Sequence, residues 1–154
     1  MILIYSDIFF KELEIPKPDY HLGIVSGNHG QQTGRMLESI QTVLIIEKPD
    51  WALVYGDTNS TLAGALAAVK RPIPIAHIEV GLRSFNRQMP EEINRVLTDH
   101  SSDLLFAPTE AAVNNLKKEG IDTNKIRLVG DVMYDAALFY GEESDRQCPN
   151  CWIF

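Results

Sequence analysis

The sequence predicts an α/β fold built on a parallel, doubly wound sheet. Two observations predict it. Short apolar runs such as Trp51-Ala52-Leu53-Val54-Tyr55 are of the kind a parallel sheet buries on both faces. Between them lie segments with helical apolar spacing, so strand and helix signals alternate in units of βα length.

The elements follow in order. Residues 1–5 offer a makeshift strand, and Ser6 reads as the cap of a short helix through Ile8, Phe9, Phe10 and Leu13. Pro16 and Pro18 break that helix. A strand is expected over 21–25 and a loop over 26–30. Over 31–47, Met36, Leu37, Ile40, Val43, Leu44 and Ile46 make a helical stripe, ended by Lys48-Pro49-Asp50. The strand over 51–55 runs into the turn Gly56-Asp57-Thr58. An alanine-rich helix over 60–69 follows, slim enough to lie close to a sheet. Arg71-Pro72 ends it, a strand is expected over 73–76, and a helix over 91–100. The next strand covers 103–107, and Thr109 caps a helix through Leu116 that Gly120 stops. A strand over 126–129 and a helix through Leu138 complete the pattern.

The 154 residues suit one domain with a real core. Residues 1–140 read as that domain, and residues 141–154 as a tail of different composition holding Cys148 and Cys151. No second Cys/His pair at zinc-like spacing accompanies these cysteines. A net charge of -7 argues against a general nucleic-acid surface. No apolar run approaches the roughly 18 residues of a membrane span. Residues 1–5 are too short for a signal sequence, so the cytoplasm is the expected compartment.

Chemistry concentrates between Ala76 and Arg95. His77, Glu79, Glu91, Glu92, Arg83, Arg87 and Arg95 lie between a buried strand and the helix that Pro90 announces. Ligands of open α/β sheets bind beyond the carboxyl ends of strands. The stretch is therefore expected to hold an anionic ligand with acid/base groups beside it. Asp57 reads either as a base or as the N-cap of the next helix, and Thr58, Asn59 and Ser60 as caps or phosphate ligands. His77 reads either as a site residue or as a hydrogen-bonded core histidine. A carboxylate directly after a buried strand needs a partner, and Arg83 is the expected partner of Glu79. Glu91 and Glu92 suit the first turn of a helix, and Glu92 can pair with Arg95 at i,i+3. Acids so crowded would repel, which keeps one protonated for general acid work.

Several motifs carry a resemblance. Val54-Tyr55-Gly56-Asp57-Thr58, Ala76-His77-Ile78-Glu79-Val80-Gly81-Leu82-Arg83 and Met89-Pro90-Glu91-Glu92-Ile93-Asn94-Arg95 resemble the non-hydrolysing UDP-N-acetylglucosamine 2-epimerases. So do Leu105-Phe106-Ala107-Pro108-Thr109-Glu110, Gly130-Asp131-Val132 and the segment from Ser6 to Pro18. The resemblance runs in order from about Ser6 to about Tyr140.

It implies the N-terminal half of a two-domain, Rossmann-like glycosyltransferase-B fold. It also implies interconversion of UDP-GlcNAc and UDP-ManNAc by elimination and re-addition of UDP, without NAD or metal. Asp57, Glu79 and Glu91 match the family's catalytic carboxylates. Thr58, His77, Arg83, Glu92 and Arg95 are expected at the substrate. A UDP-sugar is the expected partner, with no nucleic acid and no membrane, and full-length relatives are expected to be homodimers. Two departures stand out. The opening strand with Gly-Thr-Arg-Pro-Glu and the second, UDP-binding domain have no counterpart here, so an inactive fragment is expected. Val80 also stands where alanine is usual. Three alternatives stay open: a UDP-2,3-diacetamido-2,3-dideoxyglucuronate 2-epimerase, a hydrolysing epimerase, and a non-catalytic nucleotide-sugar-binding or interaction module.

Overall fold

The computed structural model describes residues 15–24 and 27–147, with side chains to residue 141. The strand expected over 1–5, the helix after Ser6 and the two cysteines lie outside the described residues. Helix α1, His29–Glu47, starts two residues earlier than expected because the Asn28 side chain accepts from the Gln31 N–H. It ends at Lys48, which turns left-handed at φ 48° just before Pro49. The strand expected over 21–25 does not form at 21–24. Those residues are irregular and mostly exposed, and Gly23 takes φ 63°, which breaks an extended run.

Four βα steps follow. Strand β1, Ala52–Tyr55, leads to helix α2, Asn59–Val69, then β2, Ile75–Ile78, and α3, Pro90–Ser101. Strand β3, Leu104–Ala107, leads to α4, Glu110–Lys118. A 3-10 turn, Thr123–Lys125, enters β4, Ile126–Leu128, and α5, Val132–Gln147, closes the series. The strands lie in the order β1-β2-β3-β4, all parallel, as the apolar runs predict.

Some boundaries moved for visible reasons. β2 begins at Ile75, not Ile73, because Pro74 has no N–H for the ladder; its carbonyl still accepts from Ala52 N–H at 2.9 Å. His77 is therefore inside the strand rather than at its exit. Thr58, not Asp57, is the N-cap of α2, and its hydroxyl accepts from Thr61 N–H. Thr109 caps α4 as expected, accepting from Ala112 N–H at 3.2 Å. Helix α5 runs well past Leu138.

Side-chain contacts place α2, α3 and α4 on one face, as expected when consecutive parallel strands are joined by crossovers of one hand. The register agrees. Val54, His77, Leu105 and Ile126 stand side by side across the sheet and all are buried. Val54 packs with Ala65, Ala68 and Ile75 under α2, and a second cluster joins Leu105, Ile126, Val113 and Leu116 under α4. Small residues let α2 approach closely: a Cβ on Gly64 would sit 3.3 Å from Val54 Cγ1. The neighbouring row, Tyr55, Ile78, Phe106 and Arg127, is more open. The expected burial of β1 on both faces does not hold, since Leu53 and Tyr55 are 50% and 58% exposed. Among the described residues β1 is the sheet's edge, with β2 on one side only.

Candidate active site

The carboxyl ends of β1 and β2 and the start of α3 converge on one mouth. Gly56 leaves β1 at φ 63°, and Glu79 leaves β2 at φ 72°. A Cβ on Gly56 would stand 3.6 Å from Glu79 Oε2, so the Glu79 carboxylate lies over the turn that carries Asp57. Beside the same turn is a cavity of about 290 Å³, lined by His29, Gln32, Met36, Thr58, Asn59, Glu91 and Asn94 among others. Hydrogen bonds brace its wall. Asn94 Nδ2 donates to the Asp57 carbonyl at 2.9 Å and to Asn59 Oδ1 at 3.2 Å. Asn59 Nδ2 donates to Gln32 Oε1 at 2.8 Å and lies 3.0 Å from His29 Nδ1.

The three expected acids differ in their partners. Asp57 Oδ2 meets Arg95 Nη2 at 2.6 Å in a part-exposed pair. Glu79 and Glu91, both half-buried, form no ion pair among the described residues. The pairing of Glu79 with Arg83 expected from their spacing does not occur. Arg83 points inward, with a side chain 1% exposed. It meets Glu119 through Nε and Nη2 at 2.7 Å each, and Asp99 at 2.7 Å. Burial opposes its charge, but Glu119 and Asp99 outweigh burial and hold the guanidinium pKa above its ordinary value.

His77 is equally internal. It is fully buried, with Nδ1 2.8 Å from Asp99 Oδ1 and Nε2 2.8 Å from the Gly56 carbonyl oxygen. His77 and Arg83 thus turn to partners inside the fold, where they brace the loops of the mouth. Arg87 is exposed and unpaired among the described residues, and Arg95 neutralises acids.

Glu92 is a clamp on the loop before α3. Its Oε2 accepts from Ser84 N–H at 3.0 Å, Ser84 Oγ at 3.1 Å and Arg95 Nη1 at 2.9 Å, and its Oε1 from Phe85 N–H at 2.9 Å. The clamp holds Phe85 at φ 57°, and the residue is 77% exposed. Burial works against the Glu92 charge, yet Ser84, Arg95 and Phe85 together hold its pKa below the ordinary glutamate value. A lowered folded pKa stabilises the fold above the unfolded value near 4.3, and that stability is lost as pH falls through the folded value. Glu92→Gln is expected to cost about 2 kcal/mol at neutral pH. Its deficit against the parent should shrink on acidification, as read by urea unfolding at several pH values. A deficit that is constant with pH argues against the clamp.

A left-handed, non-glycine Glu79 is strained, and such strain persists where surrounding structure over-determines it. Glu79→Gly is expected to stabilise the fold by on the order of 0.5–1 kcal/mol, the relief of strain exceeding the entropy cost of glycine. Glu79→Ala keeps the strain and should not. Thermal unfolding midpoints decide between them.

Comparison with known proteins fixes the lineage. A family model described as UDP-N-acetylglucosamine 2-epimerase matches residues 4–152. The chain belongs to that family. A UDP-2,3-diacetamido-2,3-dideoxy-D-glucuronate 2-epimerase of Pseudomonas aeruginosa is 63% identical over 141 residues, covering 90% of this chain and 40% of that protein. A UDP-N-acetylglucosamine 2-epimerase of Methanocaldococcus jannaschii is 63% identical over 131 residues, covering 85% of this chain and 36% of that one. A crystal structure of M. jannaschii UDP-GlcNAc 2-epimerase in complex with UDP-GlcNAc and UDP superposes at a TM-score of 0.90 with 58% identity. It covers 92% of this chain and 39% of that one. The chain spans about two fifths of the length of these relatives.

Within this epimerase-family chain, sequence reasoning missed Asp99, Glu119 and Asn94. Asp99 follows Glu92 and Arg95 at helical spacing, a polar row on the face of α3 that turns inward. That row was the available signal, and it reads as solvent-facing until the sheet is assembled.

Proposed function

We propose that the chain carries the acid–base part of a UDP-N-acetylhexosamine 2-epimerase site. In this reading a base takes the C2 proton of the sugar, the C1–O bond breaks and UDP departs, leaving a 2-acetamidoglucal. Re-addition of UDP with a proton delivered to the other face of C2 inverts that centre. Inversion needs acid/base groups on both faces of the ring, and a positioned base to move a weakly acidic proton. Asp57, Glu79 and Glu91 take those roles. Thr58 and Arg95, beside the Asp57 turn, take polar and anionic parts of the substrate, while His77, Arg83 and Glu92 position the loops. The observation that carries the reading is the family match joined to three carboxylates around one turn, two of them without an ion partner.

The Pseudomonas relative, as similar as any quoted above, favours a second substrate for the same site, a UDP-diacetamido-uronate. No helix among the described residues is long and apolar enough to cross a membrane, which suits the cytoplasmic placement proposed here. Because the chain spans two fifths of its relatives, binding is the decisive readout. Titration of isotope-labelled chain with millimolar UDP-GlcNAc, or with the uronate, is expected to move the amide resonances of Gly56, Thr58, Glu79 and Glu91. Incubation in deuterated water is expected to give no C2 exchange by this chain alone. Resonances of the mouth that stay in place with both sugars overturn the reading.

A further inference from the structure

Asp99 is 1% exposed, and the proton chemistry proposed above does not use it. Its Oδ1 faces His77 Nδ1 at 2.8 Å. Its Oδ2 accepts from the Gly81 N–H at 3.1 Å and from Arg83 Nη2 at 2.7 Å. On the far side of the imidazole, Nε2 meets the Gly56 carbonyl oxygen at 2.8 Å. A carbonyl oxygen only accepts, so Nε2 carries a proton and donates it there. A second proton lies in the contact between Nδ1 and Asp99.

The contacts form a continuous path from Gly56 through His77 and Asp99 to Gly81. Each end matters. Gly56 precedes Asp57, Gly81 follows Glu79 by two residues, and Asp99 stands on the helix whose first turn holds Glu91. One buried carboxylate thus ties together the three backbone segments that bear the candidate acids. We propose that Asp99 is the positioning residue of this site: without touching the sugar, it sets where Asp57 and Glu79 stand relative to Glu91.

Two observations favour positioning over plain packing. Glu79 sits at φ 72° between the fixed His77 and the fixed Gly81, and strained backbone of this kind needs anchors on both sides. Gly81 itself cannot drift toward α4, because its Cα faces the Ala112 carbonyl so closely that a Cβ would be 2.5 Å from the oxygen. Asp99 holds the same residue through its N–H. A buried carboxylate serving only charge balance needs Arg83 alone, yet Asp99 spends its second oxygen on His77.

The inference rests on the reading of Asp57, Glu79 and Glu91 as the acids of the site, and its test separates the two. In the parent chain, the His77 ring protons are expected to be protected from solvent exchange by NMR. That measurement requires no variant to fold, and ring protons exchanging freely overturn the proposal. In Asp99→Asn, the proton of the contact between Nδ1 and residue 99 is expected to lose protection. The amides of Gly56, Asp57, Glu79 and Gly81 should shift while Ile126 and Leu128 in β4 hold still, and UDP-GlcNAc affinity should fall roughly tenfold, as for outer-sphere partners elsewhere. A purely structural Asp99 would lower the unfolding midpoint with mouth and β4 moving alike, and that result sinks the proposal. Protected ring protons and shifted mouth amides, with no UDP-GlcNAc response in the parent chain, support Asp99 as the organiser and overturn the substrate reading alone.

Discussion

Gly81→Ala is expected to cost about 2–5 kcal/mol, a large share of the 5–15 kcal/mol that holds a typical domain together. Two effects add. Gly81 has φ 73°, where any residue with a Cβ is penalised by roughly 1–2 kcal/mol. The new methyl also has nowhere to go: it would stand 2.5 Å from the Ala112 oxygen, 2.8 Å from its carbonyl carbon and 3.0 Å from its Cβ. The two nearest are backbone atoms in the first turn of α4, below the Thr109 cap, and the third is a Cβ fixed to that backbone, so none can swing aside like a side-chain tip. Relief requires lifting α4 from the cluster of Val80, Leu105, Ala107, Ala112, Val113, Leu116 and Ile126, and overpacking of this kind typically costs 1–3 kcal/mol. Gly120→Ala is the control. Gly120 also has positive φ, at 82°, but nothing lies within 4 Å of its Cβ position. It should lose only the backbone part, on the order of 1–2 kcal/mol. Urea unfolding of both variants separates strain from collision, and equal losses would show that α4 yields to the methyl.

The same geometry shows what was legible in the sequence. Strands β1 to β4 announce themselves because apolar runs bounded by proline, glycine and aspartate have few other uses. The N-caps Asn28, Thr58 and Thr109 depend on local hydrogen bonds, yet of these only Thr109 was unambiguous, since Asp57 competed with Thr58. The places of Asp57 and Glu79 just past the ends of β1 and β2, and of Glu91 in the first turn of α3, were legible from the strand runs and from Pro90. Arg83 shows where local reasoning stops. Its spacing suggested Glu79, four positions away, but left-handed turns at Glu79 and Gly81 reverse the chain and send the guanidinium inward. Its partner Glu119 is 36 residues distant, at the far end of α4, and only the assembled sheet brings the two together. Asp99 was illegible for the same reason, since its partners His77 and Gly81 belong to a different element.

Arg83→Met is therefore expected to cost about 3–5 kcal/mol by urea unfolding, the range for stripping one partner from a buried ion pair. Methionine fills much of the aliphatic volume, so the loss measures charge more than cavity. Glu119 is 25% exposed and can turn to water, whereas Asp99 is sealed inside and would keep only His77 and the Gly81 N–H. Arg83→Lys should fall between parent and methionine. An ammonium keeps the charge but cannot fork to Glu119 through two nitrogens while also reaching Asp99 and the Leu82 carbonyl, which Arg83 Nη1 meets at 2.8 Å. The surface pair Lys125–Asp103, at 3.5 Å with both side chains more than 40% exposed, supplies the contrast. Lys125→Ala should change stability by less than about 1 kcal/mol, and added salt should erase the difference. Salt should leave the Arg83→Met deficit nearly intact, because the Arg83 and Asp99 side chains are buried and buried pairs are screened little. A deficit below 1 kcal/mol, or one that salt abolishes, would place Arg83 at the surface and detach Asp99 from the loop that carries Glu79.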